Sequence, residues 1–359
     1  MRNARVVDYA QLRRNAAVLK AGLPRGCRFC AVVKANAYGH GLIPAVQALE
    51  GVADWFAVAT PEEALSCRSV TKRPVLLLSP PDGEIGKLAG AEISVVAAGL
   101  PDIPRLAREA GRAGRRLKVH LAVDCGMHRL GLWRKEDWRR AADLLAAEPF
   151  LQVEGLMTHF CDDDPAFSAQ NARRFSEAEG LFRPRFPGIL CHAAATSFAG
   201  DPQKAFGMVR CGLALYGYGT ALPVRPCLRF EAGVVCVRTV PAGETVGYGR
   251  TFCTERETEL CVISAGYADG YPRALSNLGQ AEINGKLCPV VGRVCMDLLT
   301  ADATGAGARP GDRAVLYAPS RPELSLQRNA DLAGTIVYEL LTNLNNRSGL
   351  CPLPEGASL

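Results

Sequence analysis

Short apolar runs alternate with amphipathic stretches along the first 225 residues of the chain. A first strand is predicted at residues 4–7, and Asp8 can cap a helix that ends near Ala21. Eight further strands are predicted at residues 27–34, 55–59, 75–79, 93–97, 118–124, 153–160, 188–193 and 209–216. The helices predicted between them cover residues 41–49, 61–68, 83–88, 102–113, 135–147 and 165–182, with a short turn near Ser197.

Eight apolar strands separated by amphipathic helices favour a parallel sheet that closes into a (β/α)8, or TIM-like, barrel. We assign this barrel to residues 1–225; a doubly wound open sheet is the alternative. From residue 226 to 359 the pattern changes to short strands separated by turns, and Asn284-Gly285 between apolar residues predicts a hairpin. This second domain is therefore predicted to be mostly antiparallel β, with one helix over residues 326–342 or part of that range.

Composition limits the classes of function. The chain is 48% hydrophobic and 22% charged, and its net charge of +6 is scattered, so we expect no nucleic-acid partner. The N-terminus lacks an apolar signal core and no apolar run is long enough to span a membrane, so we expect a cytoplasmic protein with no membrane partner. The fourteen cysteines are spread through apolar segments and are predicted to be reduced.

The single CxxC motif, Cys27 to Cys30, could suggest a zinc or redox site. No second pair accompanies it, and within a strand these two side chains would point to opposite faces. We therefore expect no metal site.

Lys34 follows the apolar run 29–33 at the end of a predicted buried strand. Burial disfavours the ammonium form, and a neutral amine is what a Schiff-base lysine needs to attack a carbonyl. The alternative is a lysine whose charged end simply reaches solvent at the rim of the sheet.

Other polar residues follow the ends of predicted barrel strands, where active sites of this fold lie. They are Arg129, His159, His192 and Arg210, together with the Thr196 hydroxyl. The glycine-rich segment 209–219 can offer N–H groups to a phosphate. A lysine, an arginine and a phosphate cradle together are what a pyridoxal phosphate site needs.

The chain resembles the alanine racemase family of fold-type III pyridoxal-phosphate enzymes. The motifs that carry the resemblance are VKANAYGHG at 33–41, DCGMHRLG at 124–131, MTHF at 157–160, VRCGLALYG at 209–217, GYG at 247–249, GYADGYPR at 266–273, VGRVCMD at 291–297 and GTIVYE at 334–339. This ordered set favours the Schiff-base interpretation of Lys34.

The resemblance implies racemisation of L-alanine to D-alanine for peptidoglycan, in a homodimer with shared active sites. Lys34 and Tyr248, the latter from the partner's C-terminal domain, are implied as the two acid/base groups. Arg210 faces the pyridine nitrogen, and His159 with Arg210 supports the Tyr248 phenolate. The residues implied to bind pyridoxal 5'-phosphate are Lys34, Tyr38, His159, His192, Thr196, Arg210, Gly212, Leu213 and Tyr338. Arg129, Met296 and Tyr267 are implied on the substrate side, with Tyr267 in the access corridor.

This chain departs from the family pattern near Arg129 and near Thr196. Many members carry a carbamylated lysine seven residues before the arginine, where this chain has Ala122; a bound anion, His120 or His128 are candidates to orient Arg129 instead. Ala195 replaces a family asparagine, and Thr196 can still bind phosphate.

Because the first departure lies beside the substrate, serine or a broader amino-acid set is the alternative substrate. A fold-type III decarboxylase, a pyridoxal-phosphate carrier and a ligand-binding protein without turnover are rival classes.

Overall fold

The computed structural model describes residues 2–198, 201–344, 347–354, 356–357 and 359. The chain forms two compact units. One contains residues 12–37 and 42–224; the other contains the segment that ends at Gln11, residues 38–41 and the chain from Arg225 onward. No helix of the described residues combines the length and apolar character needed to cross a membrane.

The first strand, β1 (Asn3–Val7), belongs to the second unit, and the next eight strands form the first unit's parallel sheet. They are β2 (Arg28–Val32), β3 (Trp55–Val58), β4 (Val75–Leu77), β5 (Ser94–Ala97), β6 (Leu117–Ala122), β7 (Leu151–Met157), β8 (Leu190–His192) and β9 (Met208–Cys211). Each pairs with the next from β2 to β8, and β9 pairs with β2. The Gly207 and Arg210 N–H groups donate to the carbonyls of Cys191 and Ala194 at 2.9 and 3.1 Å, which closes the ring. The predicted barrel is confirmed, and the open sheet is excluded.

Helices alternate with the strands as the pattern predicts, except that the last and shortest of them was not predicted. They are α1 (Tyr9–Ala21), α2 (Leu42–Leu49), α3 (Pro61–Arg68), α4 (Ile85–Gly90), α5 (Asp102–Arg112), α6 (Lys135–Ala147), α7 (Pro165–Phe182) and α8 (Pro202–Ala205). Thr60 and Asp164 cap the first turns of α3 and α7, since their side chains accept hydrogen bonds from the N–H groups of Glu63 and Phe167. Strands such as β3 are buried along their whole length, which explains their continuous apolar sequence.

A β-bulge interrupts the pairing of β6 with β7. Val119 lies opposite Val153, but His120 lies opposite Gly155, so Glu154 is the extra residue on β7. A bulge redirects the side chain of the inserted residue.

The predicted strand 153–160 starts two residues late and ends three residues beyond Met157.

The second unit is built mostly of antiparallel strands, as predicted: an eight-stranded sheet and a separate two-stranded sheet of β11 and β12. Its strands are β1, β10 (Leu228–Val240), β11 (Thr245–Val246), β12 (Phe252–Cys253), β13 (Thr258–Ile263), β14 (Gln280–Ile283), β15 (Lys286–Pro289), β16 (Leu299–Asp302), β17 (Arg313–Tyr317) and β18 (Gly349–Pro352). β1, which the sequence places with the barrel, pairs antiparallel with β10 and parallel with β18. The hairpin of β14 and β15 turns at Asn284 and Gly285, with φ of 49° and 77°.

The helix predicted at residues 326–342 is two helices, α9 (Leu326–Ala333) and α10 (Val337–Asn343). Gly334 ends α9 with φ 67°, a left-handed conformation that glycine adopts without steric cost. The prediction of one continuous helix is therefore wrong at this glycine.

Candidate active site

Lys34 does not end a strand, because β2 stops at Val32 and the chain then turns in a left-handed sense. Ala35, Asn36 and Ala37 have φ of 52°, 52° and 53°, and Tyr38 follows with φ 51°. Left-handed backbone costs a residue other than glycine roughly 1–2 kcal/mol. Such strain is characteristic of functional sites, where the surrounding structure holds it in place.

Hydrogen bonds hold this turn at Asn36. Its N–H donates to Glu63 Oε1 at 3.1 Å, and its side-chain Oδ1 accepts from the Leu42 N–H at 2.8 Å. The Ala37 N–H donates to the Val33 carbonyl at 2.9 Å. Lys34 therefore lies on a loop that several hydrogen bonds hold in place at the carboxyl end of β2.

The surroundings of Lys34 favour the neutral form of its amine. Burial is the main cause of the lowered pKa of Lys34; the nearby charge of Arg129 lowers it further, and Glu63 opposes the shift. A lowered amine pKa favours nucleophilic attack and proton transfer near neutral pH.

Arg210, on β9, is the buried cation of the site, with only 5% of its surface exposed. Its Nη2 donates to the carbonyls of Thr158 and Ala193 at 2.8 and 3.0 Å. Burial lowers the pKa of Arg210 to about 10, so the guanidinium stays charged at neutral pH.

Two histidines accept hydrogen bonds from Arg210. Its Nη1 lies 2.6 Å from His192 Nδ1, and its Nη2 lies 3.2 Å from His159 Nδ1. Burial and the Arg210 charge lower the pKa of His159 to about 3 and lower that of His192 well below its ordinary value. Both imidazoles are therefore neutral at neutral pH.

His192 also contacts residues inside the barrel: His120, which the sequence suggested only as a partner for Arg129, and beyond it Glu154 and Ser94, which sequence reasoning did not assign to the site. His192 Nε2 lies 2.8 Å from His120 Nδ1, and His120 Nε2 lies 3.2 Å from Glu154 Oε2. The Ser94 hydroxyl donates to the same carboxylate oxygen. The available sequence signal was polar residues within apolar strands: His120 in β6 and Glu154 in β7.

Arg129 lies exposed on a loop that Asp124 organises. Asp124 Oδ1 accepts from the N–H groups of Gly126 and His128 at 2.9 and 3.1 Å, and Oδ2 lies 3.1 Å from His128 Nδ1. The two histidines considered for orienting Arg129 therefore have other partners, since His128 binds Asp124 and His120 binds His192. Ala122 is buried and brings no charge to this end of β6.

The predicted phosphate donors of the barrel stand on two short turns. Thr196 begins a 3-10 turn and is half-buried. Gly212 precedes the 3-10 turn Leu213–Tyr216, and the first N–H groups of such a turn have no partner within it. Hydroxyl and N–H donors of this kind suit a phosphate dianion.

The remaining predicted residues belong to the second unit. The rings of Tyr38 and Tyr338 are 6.0 Å apart, and burial raises the pKa of Tyr38. The Tyr267 and Ala268 N–H groups donate to the carbonyls of Cys295 and Met296 at 3.1 and 3.0 Å, which brings Tyr267 close to Met296.

Tyr248 lies on the turn between β11 and β12 and is 71% exposed. The structure thus assembles Lys34, Arg129, His159, His192 and Arg210 at the barrel's strand ends. Tyr38, Tyr338, Tyr248, Tyr267 and Met296 are placed in the second unit.

A closed barrel that carries a lysine of lowered pKa and a buried arginine at its strand ends is typical of an enzyme, because the active sites of this fold lie at those ends. Family models give the particular class. The alanine racemase N-terminal domain matches residues 7–220, and the alanine racemase C-terminal domain matches residues 227–350. The chain belongs to the alanine racemase family, whose members are pyridoxal-phosphate-dependent isomerases.

Individual relatives agree with this assignment. The chain is 36% identical over 363 residues to an alanine racemase of Chlorobaculum tepidum, covering 95% of this chain and 93% of that protein. The alanine racemase of Salinispora tropica is 37% identical, with 95% of each chain covered.

Solved structures show the same architecture. The alanine racemase of the D-cycloserine-producing Streptomyces lavendulae has a TM-score of 0.92 and 32% identity, covering 99% of this chain and 97% of that one. The alanine racemase of Bartonella henselae, which holds covalently bound pyridoxal phosphate, has a TM-score of 0.86 and 28% identity, covering 98% of this chain and all of that one, 100%.

Proposed function

We propose that this chain interconverts L- and D-alanine with pyridoxal 5'-phosphate, and that Lys34 and Tyr248 are its two acid/base groups. The observation that carries the proposal is the Lys34 amine, whose pKa is lowered at the strand ends of a barrel that also hold Arg210. Relatives named for alanine favour this substrate over serine or a broader set.

The residues present fit the cofactor. Lys34 would hold it covalently, the Thr196 hydroxyl and the N–H groups of Gly212 and Leu213 would bind its phosphate, and Tyr38 and Tyr338 would add hydroxyls. When bound, pyridoxal phosphate supplies the aldehyde that captures an amino group and the ring that accepts the electrons of the Cα–H bond.

Racemisation needs one proton acceptor and one donor on opposite faces of the substrate carbon. We assign Lys34 to the face of D-alanine and Tyr248 to the face of L-alanine. Tyrosine has an ordinary pKa near 10, so Tyr248 needs a positive or hydrogen-bonding neighbour to act as a base. His159, neutral and bonded to Arg210, is the group we propose for this support.

Arg210 favours racemisation over the rival reactions. We propose that its guanidinium faces the pyridine nitrogen. With a pKa of about 10 it is too weak an acid to protonate that nitrogen at neutral pH. A decarboxylase or transaminase would want an acidic residue there to strengthen the electron sink. Arg210 therefore favours prompt return of the proton to Cα.

A homodimer with shared active sites is the assembly we propose. Tyr248 and Met296 are 71% and 54% exposed in the single chain, which is unusual for side chains of their size. A partner subunit that covers them would explain the exposure and would place Tyr248 opposite the other chain's Lys34.

On the substrate side, we propose that Arg129 and the Met296 N–H bind the carboxylate and that Tyr267 lines the access corridor. Because Ala122 supplies no charge, a bound anion such as chloride is our candidate for orienting Arg129.

We further propose a cytoplasmic role in supplying D-alanine for peptidoglycan. All fourteen cysteines are free thiols, as expected in a reducing compartment.

Chiral chromatography tests the proposed function. The purified holoenzyme is given each enantiomer of alanine, serine and lysine, and Lys34→Ala serves as the matched inactive control. We expect alanine to racemise in both directions and the control to be inert. A clear preference for serine would overturn the alanine assignment, and no turnover of any of them would overturn the racemase assignment.

A further inference from the structure

Arg210, His192, His120 and Glu154 form one continuous hydrogen-bonded series, here called the histidine chain. It starts at the strand-end site and runs inside the barrel from β9 through β8 and β6 to β7. His120 and His192 have no exposed surface, so water does not compete for these contacts. Buried polar series of this kind persist only when every member finds a partner.

The direction of every hydrogen bond in the histidine chain follows from its two ends. A guanidinium can only donate, so His192 Nδ1 must accept from Arg210 and carry no proton. A neutral His192 then has its proton on Nε2 and donates to His120 Nδ1. His120 therefore has its proton on Nε2 and donates to Glu154.

The carboxylate end of the histidine chain is consistent with this direction. Burial raises the pKa of Glu154, but hydrogen bonds from His120 and Ser94 outweigh it, so the net pKa is lowered and the group is ionised. An ionised carboxylate only accepts, so it too places the His120 proton on Nε2. A proton added to His120 Nδ1 would face the His192 Nε2–H, and a proton added to His192 Nδ1 would face the Arg210 guanidinium.

The backbone is shaped to build this arrangement. The bulge on β7 makes Glu154 the inserted residue, and its side chain reaches both His120 and Ser94. The next residue is Gly155, where a β-carbon would lie 2.1 Å from His120 Nδ1. The rings of Trp55 and His120 also pack in a T-shaped arrangement, with their centroids 5.6 Å apart.

We infer that His120, Glu154 and Ser94 are positioning residues for the proposed racemisation: they supply the acceptor that the His192 Nε2 proton needs, so they stabilise the His192 tautomer that holds Arg210 in its working orientation. The inference rests on the proposed function for its catalytic consequence. His192 with a proton on Nδ1 would face the guanidinium with a donor, and Arg210 would lose its shortest side-chain contact. None of these three residues needs to touch substrate or cofactor.

The test compares two substitutions of His120 in the holoenzyme. His120→Asn keeps an acceptor oxygen near the position of Nδ1, whereas His120→Leu removes it at similar bulk. The chain has five histidines, so ¹⁵N-histidine labelling and long-range ¹H–¹⁵N correlation can read the tautomer of each one, assigned through single-histidine variants. Alanine racemisation gives kcat for the same samples.

We expect His192 of the wild-type enzyme to be protonated only on Nε2. His120→Leu should give a mixture of His192 tautomers and lower kcat about tenfold, a usual loss when the support of a functional side chain is removed. His120→Asn should keep the wild-type tautomer and a kcat within about twofold.

The inference is overturned if His120→Leu keeps the single His192 tautomer, even if kcat falls, because the loss would then be one of packing. It is equally overturned if the tautomer changes and kcat does not. If His120→Leu does not fold, Glu154→Leu is compared with Glu154→Gln, which keeps an acceptor oxygen at the other end of the histidine chain. A wild-type enzyme without racemase activity would refute the proposed function instead, and the His192 tautomer would still be readable.

Discussion

The ring of His120 occupies the space that any side chain at Gly155 would need, since a β-carbon there would lie 2.1 Å from His120 Nδ1. Gly155→Ala should therefore displace His120 and break its contact with His192. We expect a loss of about 1–3 kcal/mol in the free energy of unfolding, as in other overpacked cores, together with reduced kcat. Denaturant unfolding and racemisation assays measure the two effects.

Gly180→Ala is the matched control for that substitution. Gly180 lies within α7, and among the described residues no atom outside its own stretch of helix comes within 4 Å of the new β-carbon. Alanine should stabilise this helix by about 0.5–1 kcal/mol and leave kcat unchanged. Equal effects of the two substitutions would contradict the steric role of Gly155.

Removing the two proposed acid/base groups should have different signatures. Lys34→Ala should abolish both directions of racemisation, because it removes the covalent anchor and one base. Tyr248→Phe should nearly abolish racemisation in both directions, because the equilibrium between two enantiomers ties the two rates together, but Lys34 should still exchange the Cα hydrogen of D-alanine. Exchange of the Cα hydrogen in deuterated water follows each enantiomer separately, and full activity of Tyr248→Phe in both directions would refute the two-base assignment.

Mixing these two inactive variants tests whether the active site is shared. After unfolding and refolding of an equal mixture with cofactor, half of the dimers should contain one chain of each type. In a shared arrangement each mixed dimer has one site with both native groups, so about a quarter of the wild-type activity should return. If each site used Lys34 and Tyr248 of the same chain, no activity would return.

The pH dependence of stability should reflect His159. Its pKa falls to about 3 in the folded protein from an ordinary value near 6.5, chiefly through burial. Below pH 6.5 the unfolded chain therefore binds a proton that the folded chain does not, so stability falls as the pH is lowered. The slope from this group is about 1.4 kcal/mol per pH unit between roughly pH 6 and 4.

Urea unfolding at pH 7, 6 and 5 and one protein concentration measures this slope. His159→Gln, which has no titrating group, should show a shallower decline than the wild-type protein. An identical decline in both would show that His159 does not contribute it.

The repeating strands and helices were predictable because their signals are local. Helices α3, α6 and α7 have the predicted ends. Thr60 and Asp164 supply the cap that a sequence displays directly, with proline at the next position. Candidate site residues at the strand ends could also be predicted, because active sites of a barrel lie at the carboxyl ends of its strands.

Other features of the fold depend on tertiary contacts, which the local secondary-structure propensity of a sequence does not reveal. The turn after Val33 contains left-handed residues other than glycine, held by Glu63 and the Asn36 side chain, so β2 is shorter than its apolar run suggests. Glu154 reaches His120 only through a bulge, which depends on the partner strand.

The pairing of β1 also depends on distant sequence, and it has a consequence for synthesis on the ribosome. β1 is synthesised before the barrel segments, whereas its parallel partner β18 is synthesised after them. The barrel segments can all have emerged while β1 still lacks this neighbour, leaving an unsatisfied strand edge in the nascent chain.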